Sequence, residues 1–130
     1  MVSDSAFNDG NCVGRMRKIW RVNGSLVGIA GNLDEFGPFL GWLKAGMQDR
    51  PPKLSLSALV LSPSGILHFA ASGVPFAVQS RCEAIGSGAM AAKSAHEALG
   101  FTDPRKAVQI VCKHDQNSRG PVRVYKLRQT

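Results

Sequence analysis

Gly86-Ser87-Gly88 is the stretch whose residue types and spacing most suggest chemistry. A short apolar run, Ala84-Ile85, enters it, and a segment rich in small residues leaves it. Gly86-x-Gly88-x-x-Ala91 fits the loose dinucleotide fingerprint, in which amides at a helix start hold a pyrophosphate. That fingerprint also asks for an acidic residue about 20 positions on, at a strand end. Around Ala107 to Val111 the chain offers none, and the pattern there is helical. A tight strand-to-helix turn accounts for the same glycines, because both allow close backbone approach. His68, His96 and His114 lack metal-ligand spacing, and Cys12, Cys82 and Cys112 contain no CxxC pair. No metal and no cofactor is therefore expected. Lys18, Asp115 and Ser118 are reactive types with plain readings too: an exposed strand lysine and two turn formers.

Composition narrows the classes. The 130 residues suit one domain, 1–130, and contain 44% hydrophobic and 19% charged residues, as globular chains do. No apolar run approaches the ~20 residues of a membrane span, and no basic-then-apolar leader opens the chain. Three widely spaced cysteines point to a reduced, cytoplasmic protein. The net charge of +7 raises nucleic acid as a partner. Its sources are scattered, however: Arg15, Arg17, Lys18 and Arg21 early, Arg105 and Lys106 midway, Arg119, Arg123, Lys126 and Arg128 late. Only Trp20 and Tyr125 sit among them, so a solvated basic face or an acidic partner is the better reading.

The elements follow from pattern. Residues 1–14 are polar and rich in Gly, Asn and Asp, which predicts a loop. Ile19 to Val22, the Asn23-Gly24 turn and Ser25 to Ala30 read as a hairpin. Asn32 with Glu35 predicts a capping box opening a helix, with Leu33, Phe36, Phe39, Leu40 and Leu43 as its apolar stripe. Gly37-Pro38 implies a kink or a separate first turn, and Asp49-Arg50-Pro51-Pro52 a stop. A second hairpin spans Ser57–Ser62 and Ile66–Ala70. Ala89, Ala92, Ala95 and Leu99 form a helix face slim enough to lie on a sheet, closed by Gly100. Thr102-Asp103-Pro104 caps a third helix, and Val122 to Leu127 alternates as a last strand. The methionines and phenylalanines are assigned to the core. The order β-β-α-β-β-α-α-β, with antiparallel hairpins, indicates an α+β layered domain.

Four stretches, in this order, resemble the proteasome β-subunit and HslV peptidases, a family of amino-terminal-nucleophile hydrolases. They are Arg17-Lys18-Ile19, Gly28-Ile29-Ala30-Gly31, Ala84-Ile85-Gly86-Ser87-Gly88, and Lys113 through Val122 with its Asp115, Ser118 and Gly120. The resemblance covers about Lys18 to Leu127. It implies a four-layer αββα sandwich with antiparallel sheets, shortened at the amino terminus. It also implies a threonine peptidase chemistry, in which a terminal Thr hydroxyl attacks a peptide carbonyl with its own amine as base. By resemblance Lys18 is the lysine that lowers the pKa of hydroxyl and amine. Gly31 supplies the oxyanion amide, and Ser87, Asp115 and Ser118 orient the amine. Peptides or unfolded proteins are the implied substrates, a homo-oligomeric ring the assembly, and an ATP-driven unfoldase a possible partner.

The sequence departs from the family pattern at its start. Family members open on a Thr-Thr strand; this sequence opens Met1-Val2-Ser3-Asp4-Ser5, and its only threonines are Thr102 and Thr130. Asp4-Ser5 is either the family's Asp-Ser or loop just past it. The 130-residue form is accordingly expected to be inactive. A degenerate, non-catalytic structural or binding subunit is the alternative, and a nucleotide-binding module the third.

Overall fold

The computed structural model describes residues 1–8, 13–49, 51–53, 55–70 and 74–128. Five strands form an antiparallel meander: β4 (Ile19–Val22), β5 (Ser25–Ala30), β6 (Ser57–Ser62), β7 (Gly65–Phe69) and β8 (Pro75–Ala77). The β4–β5 turn takes the geometry its residues favour, with φ of 49° at Asn23 and 80° at Gly24. Register places Val27 opposite Val60 and Leu67 opposite Val60 from the other side, so one stripe of branched side chains crosses the sheet.

Helix α1 (Phe36–Lys44) covers that face. Val27, Ile29, Ala58 and Phe69 of the sheet close with Phe36, Phe39 and Leu43 of the helix into the main core. Rings meet edge-on, Phe39 with Phe69 at 5.4 Å and Trp20 with Phe36 at 5.6 Å, the arrangement their quadrupoles favour. Each of these buried phenylalanines contributes about 2–3 kcal/mol by removal from water.

Across a cavity from the sheet's other face stand α2 (Ala89–Ala98) and α3 (Pro104–His114), and β1 (Val2–Ser3) pairs with β9 (Arg123–Val124). Asp103 caps α3 by accepting from the Lys106 amide at 2.9 Å, and Pro104 occupies the first turn. Strand β1 pairs with β9 and makes its helix contacts with α3.

Several expectations needed correction. Residues 1–14 are not all loop: β1, then β2 (Ala6–Asn8) and β3 (Val13–Arg15) lie there. Val2 pairs with Val124 and Ser3 with Arg123, contacts that no local composition can announce. Asn32 does cap, but a 3-10 turn (Leu33–Glu35), accepting from the Asp34 amide at 3.2 Å. Glu35 does not complete the box; its carboxylate accepts from the Ser55 and Leu56 amides at 2.9 and 3.1 Å. The helix stops at Lys44, ahead of Gly46 at φ 87°, well short of Asp49; Arg50 lies outside the described residues. Strand β8 had no signal because it opens on Pro75, tolerated there as the first residue of an edge strand. The last strand is only Arg123–Val124. Helix α2 makes its closest backbone contacts with α3, and its Ala92, Lys93 and His96 face the sheet's Leu59, Leu61 and Ile66 across a cavity. Phe76, Met47 and Met90 are exposed, at 50%, 47% and 77%, while Phe36, Phe39 and Phe69 are core.

Candidate active site

Lys18 lies just ahead of β4 and Asp4 just after β1. Lys18 Nζ is 2.7 Å from Asp4 Oδ1, with side-chain exposures of 24% and 13%. The other carboxylate oxygen of Asp4 accepts from the Arg119 amide at 3.0 Å. Next to it, the fully buried Ser5 donates its hydroxyl to the Pro121 carbonyl at 2.6 Å, and its amide to the Arg119 carbonyl at 2.8 Å. Three remote pieces of chain are thereby tied together: the end of β1, the start of β4 and the connection from α3 to β9.

The second group is built on Asp115, at the end of α3. Its Oδ2 accepts from Ser118 Oγ at 2.6 Å and from Ser87 Oγ at 2.8 Å, and its Oδ1 from the Asn117 amide at 3.2 Å. Bonds from Ser118 first, then Ser87 and Asn117, hold the carboxyl below its ordinary value, with a smaller contribution from the charge of Lys18. Gly88 allows the approach. A Cβ there would lie 2.5 Å from Val111 Cγ1 and 3.3 Å from both Asp115 Oδ2 and Ser118 Oγ. The demand for glycine at this turn is thus met by packing against α3, without invoking a phosphate. Gly86, at φ 95°, brings the other end of the turn toward Ala30 at the end of β5.

Asp4, Lys18, Ser87 and Ser118 line one cavity of about 310 Å³ between the sheet and the α2–α3 layer. Asp115 reaches it through its two serine bonds. Gly31 does not line it, although its neighbours Gly28, Ile29 and Ala30 do. Gly31 sits at φ 133°, and a Cβ would come within 2.9 Å of the Leu56 backbone, so the chain needs glycine there for steric reasons.

Sequence reasoning missed two further groups. Half-buried Cys112 lies close enough to the site to sense it: burial first, then the negative charges of Asp4 and Asp115, push its thiol up against the opposing effect of Lys18. Glu83 joins three elements, accepting from the Ala84 amide at 2.9 Å, from Lys93 Nζ at 3.1 Å and pairing with His68 Nδ1 at 3.4 Å. Burial alone would raise its pKa; the Ala84 amide, Lys93 and His68 together outweigh it and lower it. These partners are 10 and 15 residues away, with no local signal. Cys12 lies outside the described residues. Among those described, no group of His, Cys, Asp and Glu could hold a metal ion, and no helix is long and apolar enough to cross a membrane.

No protein-family model matches this chain, and no curated protein matches it in sequence. Solved structures do match in fold. BPH of Thiobacillus denitrificans is similar at a TM-score of 0.73 and 21% identity, over 99% of this chain and 92% of that one. The same protein in complex with epoxomicin gives 0.72 and 22%, over 98% and 92%. A eukaryotic HslV, from Trypanosoma brucei, gives 0.70 and 23%, over 94% of this chain and 88% of its own. At these identities the likeness is one of fold. The chain shares the fold of these BPH and HslV structures, α+β with antiparallel sheets.

Proposed function

We propose that this chain is a homologue of the HslV and proteasome β-subunit peptidases, with Lys18 as the charged centre of its site. The observation that carries the reading is the 2.7 Å Lys18–Asp4 pair, opening on the same cavity as Ser87 and Ser118. The Asp4 carboxylate fixes where Lys18 Nζ sits, and a positive charge lowers the pKa of a neighbouring hydroxyl or amine. In this reading Ser87, Asp115 and Ser118 orient the amine, and the Gly31 amide, one residue past the cavity-lining Ala30, is the proposed oxyanion donor.

The 130-residue form is expected to leave peptides uncut. No threonine is among the described residues that line the cavity with Lys18 and Asp4. A ring-shaped homo-oligomer in the cytoplasm, with or without an ATP-driven unfoldase, belongs to the same proposal. The second reading, a non-catalytic binding subunit, is favoured by the apolar cavity next to the charged pair.

One experiment separates the two. A Thr-led strand pair is grafted ahead of Asp4, and turnover of a fluorogenic peptide is measured with Lys18 intact and with Lys18→Ala. Cleavage that disappears in Lys18→Ala, together with Lys18-dependent capture of epoxomicin, supports the peptidase reading. A folded graft with no turnover refutes it and leaves the binding role. Turnover by the ungrafted chain, abolished by Lys18→Ala, would overturn the expected inactivity.

A further inference from the structure

We propose that Glu83 is a clasp holding helix α2 and the Ser87 turn against the sheet, and that α2 opens as a unit when the clasp is released. This stands apart from the peptidase reading, because it concerns how turn and helix are held, whatever reaction the site supports.

The clasp is the first observation. Glu83 engages each carboxylate oxygen with a different element. Its Oε2 faces His68 Nδ1 of β7 at 3.4 Å, and its Oε1 accepts from Lys93 Nζ of α2 at 3.1 Å and from the Ala84 amide at 2.9 Å. Glu83 and Lys93 flank Gly86-Ser87-Gly88, so their bond closes the turn at its base, while Ser87 Oγ ties the tip to Asp115. His68 anchors that base to the sheet. It stands in register with Leu59 of β6 and Phe76 of β8. The Phe76 ring lies against the imidazole, centroids 4.7 Å apart and planes 34° from parallel, which limits how the imidazole can turn. Bonds to an ionised carboxylate are about twice as strong as neutral ones.

What the clasp holds is the second. Helix α2 contributes no buried residue, whereas α1 buries Phe36, Phe39 and Leu43, and α3 buries Ala107 and Val111. A helix with few buried apolar contacts belongs to the low-stability end of a fold and opens without the rest. Glycines in the left-handed region bound the segment, Gly86 at φ 95° and Gly100 at φ 69°. Backbone rotation is least restricted at such positions.

The third is a cost carried by the closed state. His96 Nε2 on α2 is buried without a hydrogen-bond partner, and its ring packs edge-on against Phe101 at 5.4 Å. A buried polar atom left unpaired is costly. Opening admits water to that nitrogen, so His96 favours release and Glu83 opposes it.

The test is native-state hydrogen exchange of the isotope-labelled 130-residue protein, followed residue by residue at low urea. In the parent, amides from Lys93 to Leu99 should share one opening, exchange faster than those of α3 and β5, and respond weakly to urea, because local opening exposes little surface. Glu83→Gln keeps the shape of the side chain and removes its charge. It should speed those amides about tenfold, the equivalent of about 1.4 kcal/mol, and leave α3 and β5 unchanged. Lys93→Met should act in the same direction but less, since Lys93 is 40% exposed against 14% for Glu83, and should add little to Glu83→Gln. His96→Phe keeps the ring against Phe101, removes the unpaired nitrogen, and should slow α2 exchange. The parent measurement needs no variant, so it decides even if one fails to fold. Exchange of the α2 amides only through global unfolding, together with α3, would overturn the proposal. So would unchanged α2 exchange in Glu83→Gln, or equal acceleration in α2, α3 and β5.

Discussion

Gly88→Ala probes the joint between the Ser87 turn and α3. The added methyl would lie 2.5 Å from Val111 Cγ1, about an ångström inside ordinary contact. Val111 cannot swing aside: it is 4% exposed, and a valine in a helix is confined to essentially one χ1 rotamer. Replacing glycine normally stabilises by about 0.4–1 kcal/mol through the unfolded chain. Overpacking a closed joint costs about 1–3 kcal/mol, and the stiff neighbour places this site toward the upper end. The net expectation is a loss of about 2 kcal/mol. At about 2.1 cal/mol/K of unfolding entropy per residue, the 130 residues of this chain translate that into a fall in Tm of about 7 °C. Urea denaturation of Gly88→Ala, Val111→Ala and the double variant forms a cycle. The double variant should recover about 1 kcal/mol relative to additivity, because removing the valine methyls makes room for the new one. Gly37→Ala, where a Cβ would meet nothing within 4 Å, is the control and should leave stability unchanged or slightly raised. A Gly88→Ala protein as stable as the parent would refute the packing account of the turn.

Two further outcomes follow from the site. Asp4→Ala should cost about 2 kcal/mol, since it removes charge-assisted bonds to both Lys18 and the Arg119 amide; Asp4→Ala with Lys18→Met should lose less than the two singles together, and an additive result in a urea cycle would sink the pairing. The second concerns acid stability. The Asp115 pKa is depressed by folding, so its contribution is fully present above the ordinary carboxylate pKa and is lost as pH falls through the lower folded value. Asp115→Asn should therefore flatten the stability–pH curve below about pH 4 and leave the slope near neutrality unchanged; Glu83→Gln, another depressed carboxylate, should do the same independently. Identical acid slopes in parent and Asp115→Asn would contradict the assignment.

How much was legible in the sequence depends on the range of the interactions involved. Asn23-Gly24, Asp103-Pro104 and the alternating runs from Ile19 to Ala30 act over a few residues, and the structure reproduces them. The motifs around Lys18, Gly31, Gly86–Gly88 and Asp115–Ser118 carried the resemblance to HslV-type peptidases, because side-chain type and order survive in the linear chain. Strand β1 was invisible, since Val2 and Ser3 become a strand only by meeting Val124 and Arg123 at the far end. The capping box failed for a similar reason. Glu35 had a choice between its own helix start and the Ser55 and Leu56 amides, and the folded loop offered two donors at once.

The sequence by itself determined the local elements, the α+β class and the residue types available to a site. Tertiary structure alone decided that Asp4 holds Lys18, that Ser87 and Ser118 share one carboxylate, and that α2 turns to α3 and leaves a cavity beside the sheet. The physical reason is that these arrangements depend on where segments far apart in the chain come to rest. Hydrogen bonds and close packing act over a few ångströms, whereas sequence patterns register only a residue's nearest neighbours along the chain.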